Sequence, residues 1–109
     1  RIAIARAMVL RPKLVVLDEP TSAQDLGQQH ALLSLVKTLC KEQGYICLAI
    51  LHDLNLVLEY CEKSVLLDNG DLVAYGKTEE CLNEENIQEY WDYSAEILHS
   101  EIKKRKVII

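Results

Sequence analysis

The chain has 109 residues, 50% hydrophobic and 27% charged, with only four glycines and two prolines, a balance that excludes collagen-like, disordered and low-complexity classes. No charge-free apolar run approaches the roughly 20 residues a membrane-spanning helix needs. Twelve basic residues against 17 acidic give a net charge of -5, which argues against a nucleic-acid partner, because neutralising phosphates takes a basic patch.

Residues 1–10 repeat Ile, Ala, Met and Val at helical spacing and run into Arg11-Pro12, so a helix is expected to end there. Leu14-Val15-Val16-Leu17 is a short, continuous, β-branched run of the kind buried on both faces of a parallel sheet. Asp18-Glu19-Pro20 closes it, since proline offers no ladder donor. Residues 21–26 are polar turn material. A helix then follows Leu26-Gly27, with Leu32, Leu33, Leu35, Val36 and Leu39 as its apolar stripe and Gly44 as its stop. Residues 45–51 form a second apolar strand ending at His52-Asp53. Strand, helix and strand make a βαβ unit.

Asp53 or Asn55 caps a further short helix through Tyr60. Residues 64–68 and 71–75 flank Asn69-Gly70 and predict a hairpin with a type I′ turn. Thr78-Glu79-Glu80 opens a helical turn, and Asn83-Glu84-Glu85 opens a short helix ending near Trp91. The acidic stretch from Glu79 to Glu89 reads as solvated helix surface. Residues 95–109 are expected to form a hairpin turning at residues 103–106. The first residues, Arg1-Ile2-Ala3-Ile4, include no initiator Met, and the chain is expected to be a piece of something longer. Its length bounds it to one domain of ordinary size.

The cysteines stand at 40, 47, 61 and 81. They make neither a C-x-x-C pair nor a zinc spacing. They read as reduced thiols, with Cys47 buried in its strand. His30 and His99 read as surface residues.

The chemistry is concentrated in Leu14-Val15-Val16-Leu17-Asp18-Glu19-Pro20. Two carboxylates lie at the carboxyl end of a predicted parallel strand, where open α/β sheets place their ligands. Acids in such a place are costly unless a cation or a reaction uses them. Taken alone, the pattern is equally that of a strand followed by helix-capping acids. Its surroundings decide between them: Arg1 to Ala7 before the strand, Asp18-Glu19-Pro20-Thr21-Ser22 after it, Asp25, and a second strand ending in His52-Asp53.

This combination resembles the C-terminal half of the ATP-binding subunit of ABC transporters, over residues 1–90. The resemblance implies an α/β fold, the C-terminal part of a three-layer P-loop NTPase domain with a mostly parallel sheet and a C-terminal hairpin, residues 1–109 being that portion. It implies that residues 14–18 are the Walker B strand, Asp18 the magnesium residue, and Glu19 the catalytic glutamate that polarises the attacking water. Ser22-Ala23-Gln24-Asp25 matches the D-loop, so Ser22 and Asp25 are nucleotide-site residues; Gln24 stands where the family usually has Leu, a departure that bears on coupling across a dimer. His52 matches the switch histidine that contacts the γ-phosphate; without that context a strand-end histidine is an ordinary hydrogen-bonded turn residue. ATP and Mg²⁺ are the implied cofactors. A second ATPase subunit in a homodimer and membrane permease subunits are the implied partners, at the cytoplasmic face of the plasma (inner) membrane.

Leu51-His52-Asp53-Leu54-Asn55-Leu56, Tyr60-Cys61, residues 66–76 and Thr78-Glu79-Glu80 are similar to importers of iron-siderophore, haem or vitamin B12. The 109 residues contain no G-x-x-x-x-G-K-[ST] phosphate cradle, and the family's Leu-Ser-Gly-Gly-Gln signature is expected to end just before Arg1. These residues by themselves are therefore expected neither to bind nor to hydrolyse ATP appreciably. Two other readings stand beside this one: a nucleotide-free regulatory or interaction module of the same fold, and a DNA-repair or translation ATPase. The hairpin and the residues after it favour the transporter, and the acidic charge disfavours DNA.

Overall fold

A computed structural model describes residues 14–20 and 24–109. The expected helix over residues 1–10 and the D-loop residue Ser22 lie outside the described residues. The chain divides into two compact units, one ending at His52 and the other spanning Asp53–Ile109.

In the first unit, β1 (Leu14–Asp18), α1 (Leu26–Gln43) and β2 (Ile46–Ile50) follow in order. The strands pair in parallel, in register from Leu14 against Ile46 to Asp18 against Ile50. Asp25 starts α1: its carboxylate accepts from the Gln28 N–H at 2.8 Å, satisfying one of the donors orphaned at a helix start. Gly44 ends α1 at φ 72°, a left-handed conformation that costs glycine nothing. The turn returns on itself, with the Tyr45 N–H donating to the Cys40 carbonyl at 3.0 Å.

Leu32 and Val36 from α1 meet Val15 and Leu17 from β1 in the buried core, with Cys40, Tyr45, Cys47 and Ala49 half-buried against them. Removing the Leu32 side chain, 1% exposed, would cost about 2–5 kcal/mol. Leu33 is buried as well, but Leu35 is exposed. At about 100° per residue, Leu35 sits roughly 100° from the midline of Leu32, Leu33, Val36 and Cys40, beyond the reach of the sheet.

The strands are not buried on both faces as expected. Val15 and Leu17 are buried under α1, whereas Leu14, Val16, Ile46, Leu48 and Ile50 are exposed. The helix covers one face only, and the period of two sends every other side chain to the opposite one. Cys47 is half-buried and not buried. The expected mostly parallel sheet is represented among the described residues by the β1–β2 pair; the other two sheets are antiparallel.

The second unit begins with α2 (Leu54–Tyr60), capped by Asp53, whose carboxylate accepts from the Asn55 and Leu56 N–H groups at 2.9 and 3.3 Å. β3 (Lys63–Asp68) and β4 (Asp71–Lys77) form the expected hairpin. Asn69 at φ 49° and Gly70 at φ 84° supply the two positive dihedrals of a type I′ turn. α3 (Thr78–Cys81) and α4 (Glu84–Trp91) follow, the latter capped by the Asn83 side chain. Leu66, Cys81 and Leu82 form the core, packed by Leu54, Val57, Leu58, Val73 and Ala74. The glutamates from Glu79 to Glu89 are all exposed.

β5 (Ile97–Ser100) and β6 (Arg105–Ile108) form the C-terminal hairpin. Its turn spans residues 101–104 and not the expected 103–106, because Ser100 pairs with Arg105 and the Lys104 N–H closes onto the Ser100 carbonyl at 2.8 Å. Two contacts tie it to α2. Asn55 donates its side-chain amide to the Ile108 carbonyl at 3.0 Å and accepts from the Ile108 N–H at 2.8 Å. Arg105 pairs with Glu59 at 3.3 Å, both largely shielded from solvent.

Candidate active site

Parallel, in-register pairing brings the carboxyl ends of β1 and β2 to the same edge. The chain leaves β1 through Glu19, whose N–H donates to the Ile50 carbonyl at 2.9 Å and so extends the pairing one residue beyond the strand. Glu19 has φ 49°. A non-glycine residue in the left-handed region carries roughly 1–2 kcal/mol of strain, and this one is held by that backbone bond and by its own side chain. Its Oε1 lies 2.5 Å from His52 Nε2. When Glu19 is ionised it can only accept, so Nε2 carries the hydrogen.

Glu19 and His52 are separated by 33 positions in the chain, and both remain open to solvent, with side chains 45% and 76% exposed. Open water screens such a pair, so its weight in stability is small. Its value is orientation: a carboxylate and an imidazole aimed at one another at a sheet edge can align a water molecule or pass a proton. Asp18 is the last residue of β1 and is also exposed. Among the described residues no three His, Cys, Asp or Glu side chains converge to hold a metal ion. A lone carboxylate fits magnesium, which keeps several waters and takes one or two carboxylates together with substrate phosphates.

Asp25, expected at the nucleotide, is engaged as the N-cap of α1. The preceding Gln24 accepts at its carbonyl from Gln29 Nε2 at 3.1 Å, while its buried Oε1 meets no donor among the described residues. The structure thus joins Glu19 to His52, places Asp18 next to Glu19 in the chain, and gives Asp25 a capping bond. His30 is half-buried and His99 exposed. The sequence offers Asn55 only as a candidate helix cap, and its two hydrogen bonds to the Ile108 backbone have no signal there.

No protein-family model matches the chain. The hemin import ATP-binding protein HmuV of Shewanella denitrificans is 36% identical over 109 residues, which is 100% of this chain and 43% of that protein. HmuV of Vibrio anguillarum is 41% identical over 83 residues, 76% of this chain and 32% of the relative. Among solved structures, a metal-chelate type ABC transporter in an inward-facing conformation superposes with a TM-score of 0.83 at 29% identity, over 97% of this chain and 43% of that one. CbiO1 of Clostridium perfringens, part of the ABC transporter complex cbiONQ, superposes with a TM-score of 0.70 at 28% identity, covering 81% of this chain and 35% of its own. The chain spans less than half the length of these relatives. Two parallel strands leading into Asp18-Glu19 and His52, a shared fold over nearly all of the chain and sequence identity to this depth have one explanation: the chain belongs to the ATP-binding subunits of ABC transporters.

Proposed function

We propose that residues 1–109 are the C-terminal portion of an ATP-binding domain that hydrolyses ATP to drive import, with haem, an iron-siderophore or cobalamin as the cargo of the assembled transporter. The observation that carries this reading is the contact of Glu19 with His52 at the carboxyl ends of two parallel strands. In it, Glu19 orients and activates the attacking water, held in position by His52. His52 also reports on the terminal phosphate. Asp18 is the carboxylate for magnesium, which when bound with nucleotide neutralises charge on the phosphates. Asp25 and Ser22 belong to the loop that completes the site in a pair of subunits. The cargo class rests on the relatives named for hemin import and on the metal-chelate transporter. Permease subunits and a second ATP-binding subunit are the partners, at the cytoplasmic face of the membrane. No described helix is long and apolar enough to cross a membrane, in keeping with a subunit that docks onto membrane-spanning partners.

The test is Glu19→Gln in the longer protein that carries these residues. The substitution keeps shape and removes the charge. Hydrolysis is expected to fall by about 10²-fold or more while Mg-ATP binding survives. Turnover near that of the parent would overturn the assignment.

A further inference from the structure

The chain has four asparagines, at 55, 69, 83 and 86, and the structure engages the side chains of three. Asn55 holds the Ile108 backbone through both its amide and its carbonyl. Asn83 accepts from the Asn86 N–H and donates to the Glu80 carbonyl, at 2.8 and 2.9 Å. Asn86 donates to the Cys81 carbonyl at 2.8 Å. Asn69 is the exception: it is exposed, and its side chain has no hydrogen-bond partner among the described residues. The residue that follows matters as much. Leu56, Glu84 and Ile87 come after the other three, whereas Gly70 comes after Asn69, so no side chain shields the next backbone nitrogen. The β3–β4 ladder closes with Asp68 opposite Asp71, which leaves the exposed Gly70 in the turn with its N–H outside the pairing. An unengaged amide thus neighbours an open, unshielded backbone nitrogen.

We propose that Asn69 is a site of spontaneous deamidation, which places an isoaspartate in the β3–β4 turn. Hydroxide removes the Gly70 amide proton, and the nitrogen attacks Asn69 Cγ. A new N–C bond forms, the bond from Cγ to the side-chain nitrogen breaks, and that nitrogen takes a proton from water and leaves as ammonia. The product is a cyclic succinimide, which water then opens at either carbonyl. Attack at Cγ gives aspartate. Attack at the main-chain carbonyl carbon gives isoaspartate, with the backbone rerouted through Cβ. One asparagine and one water thus become one acid and one ammonia, with no change of oxidation state. The type I′ turn needs positive φ at two successive residues, 49° and 84° here. A backbone lengthened by a carbon cannot meet that condition, so the isoaspartate form loosens a hairpin that supplies Leu66, Val73 and Ala74 to the core. It also sets a further negative charge between Asp68 and Asp71, where like charges repel.

The longer protein that carries these residues is incubated at mildly alkaline pH, sampled over time and digested with trypsin in heavy-oxygen water, which marks any succinimide opened during digestion. Cleavage after Lys63 and Lys77 releases residues 64–77, in which Asn69 has the only side-chain amide. That peptide is expected to gain the mass of an amide turned acid, at a rate proportional to hydroxide, and to split into two isomers on chromatography. Only the isoaspartate isomer is expected to accept a methyl group from protein isoaspartate methyltransferase. Residues 42–63 and 78–103 carry the other three asparagines and are expected to keep their amides. The aged protein is expected to melt below freshly prepared Asn69→Asp, which has the added charge on a normal backbone. An Asn69 amide retained throughout, or loss at equal rates from all three peptides, would overturn the site. Equal melting of the aged protein and Asn69→Asp would overturn the loosened turn.

Discussion

Glu19 and His52 are 33 positions apart in the chain and touch at 2.5 Å, Glu19 one residue beyond the end of β1 and His52 two residues beyond the end of β2. The contact is possible only because β1 and β2 run parallel and in register, ending together at Asp18 and Ile50. Antiparallel pairing would have put the acids and the imidazole at opposite edges.

His52→Ala removes the imidazole and leaves the Glu19 carboxylate unrestrained. In the longer protein, ATP hydrolysis is expected to drop while affinity for ADP stays nearly unchanged, because only the terminal phosphate differs. Since the side chain is largely in solvent, thermal stability should hardly move. Steady-state turnover and ADP titration decide it, and equal losses for both nucleotides would assign His52 a structural role instead.

Asp25 carries two expectations that two variants separate. Its carboxylate caps α1 at 2.8 Å from the Gln28 N–H, so Asp25→Ala should destabilise the fold by about 1 kcal/mol. Asp25→Asn retains the cap. Sedimentation in the Glu19→Gln background, in which hydrolysis is expected to be lost, would report ATP-driven dimerisation. A role at the subunit interface predicts weaker dimers in both variants; normal dimers and normal turnover in Asp25→Asn would confine the residue to capping.

The alkaline limb of stability should fall through Cys81 and Tyr60. Burial raises the Cys81 thiol's pKa, helped by Glu80. Burial also raises that of Tyr60, with Glu59 adding to the effect and Arg105 opposing it. Both groups are neutral when protonated, so the native state holds its protons to higher pH than the unfolded chain. Their contribution is complete below the unfolded values, about 8.5 and 10, and is lost as pH rises through the folded ones. Denaturant midpoints measured between about pH 7.5 and 10.5 should decline, less steeply in Cys81→Ser. A flat profile would contradict this.

Much of the fold is legible locally. Gly44, Asn69-Gly70 and Asn83 each announce a turn or cap through their own backbone chemistry, and the structure places a helix end, a hairpin and a helix start at them. The apolar runs locate β1 and β2. What they cannot tell is which face is covered: Val15 and Val16 are the same residue type one step apart, one buried and one exposed. The proximity of Asp18-Glu19 to His52 follows from the βαβ order, but the left-handed backbone of Glu19 has no signature in its residue type, since glutamate seldom adopts it. The Asn55–Ile108 contact spans 53 positions, and nothing local to either residue specifies it.

That contact has a consequence for what the C-terminal hairpin can pair with. The Ile109 N–H and carbonyl both bond to Glu96, at 2.9 and 3.1 Å, so backbone alternation turns those of Ile108 to the outer side of β6. There Asn55 occupies donor and acceptor together. A two-stranded ribbon is nearly all edge, and an open edge is a template on which a foreign strand can grow. A single amide side chain, shaped like one peptide group, closes that template where it would begin and so works against strand exchange between copies of the chain.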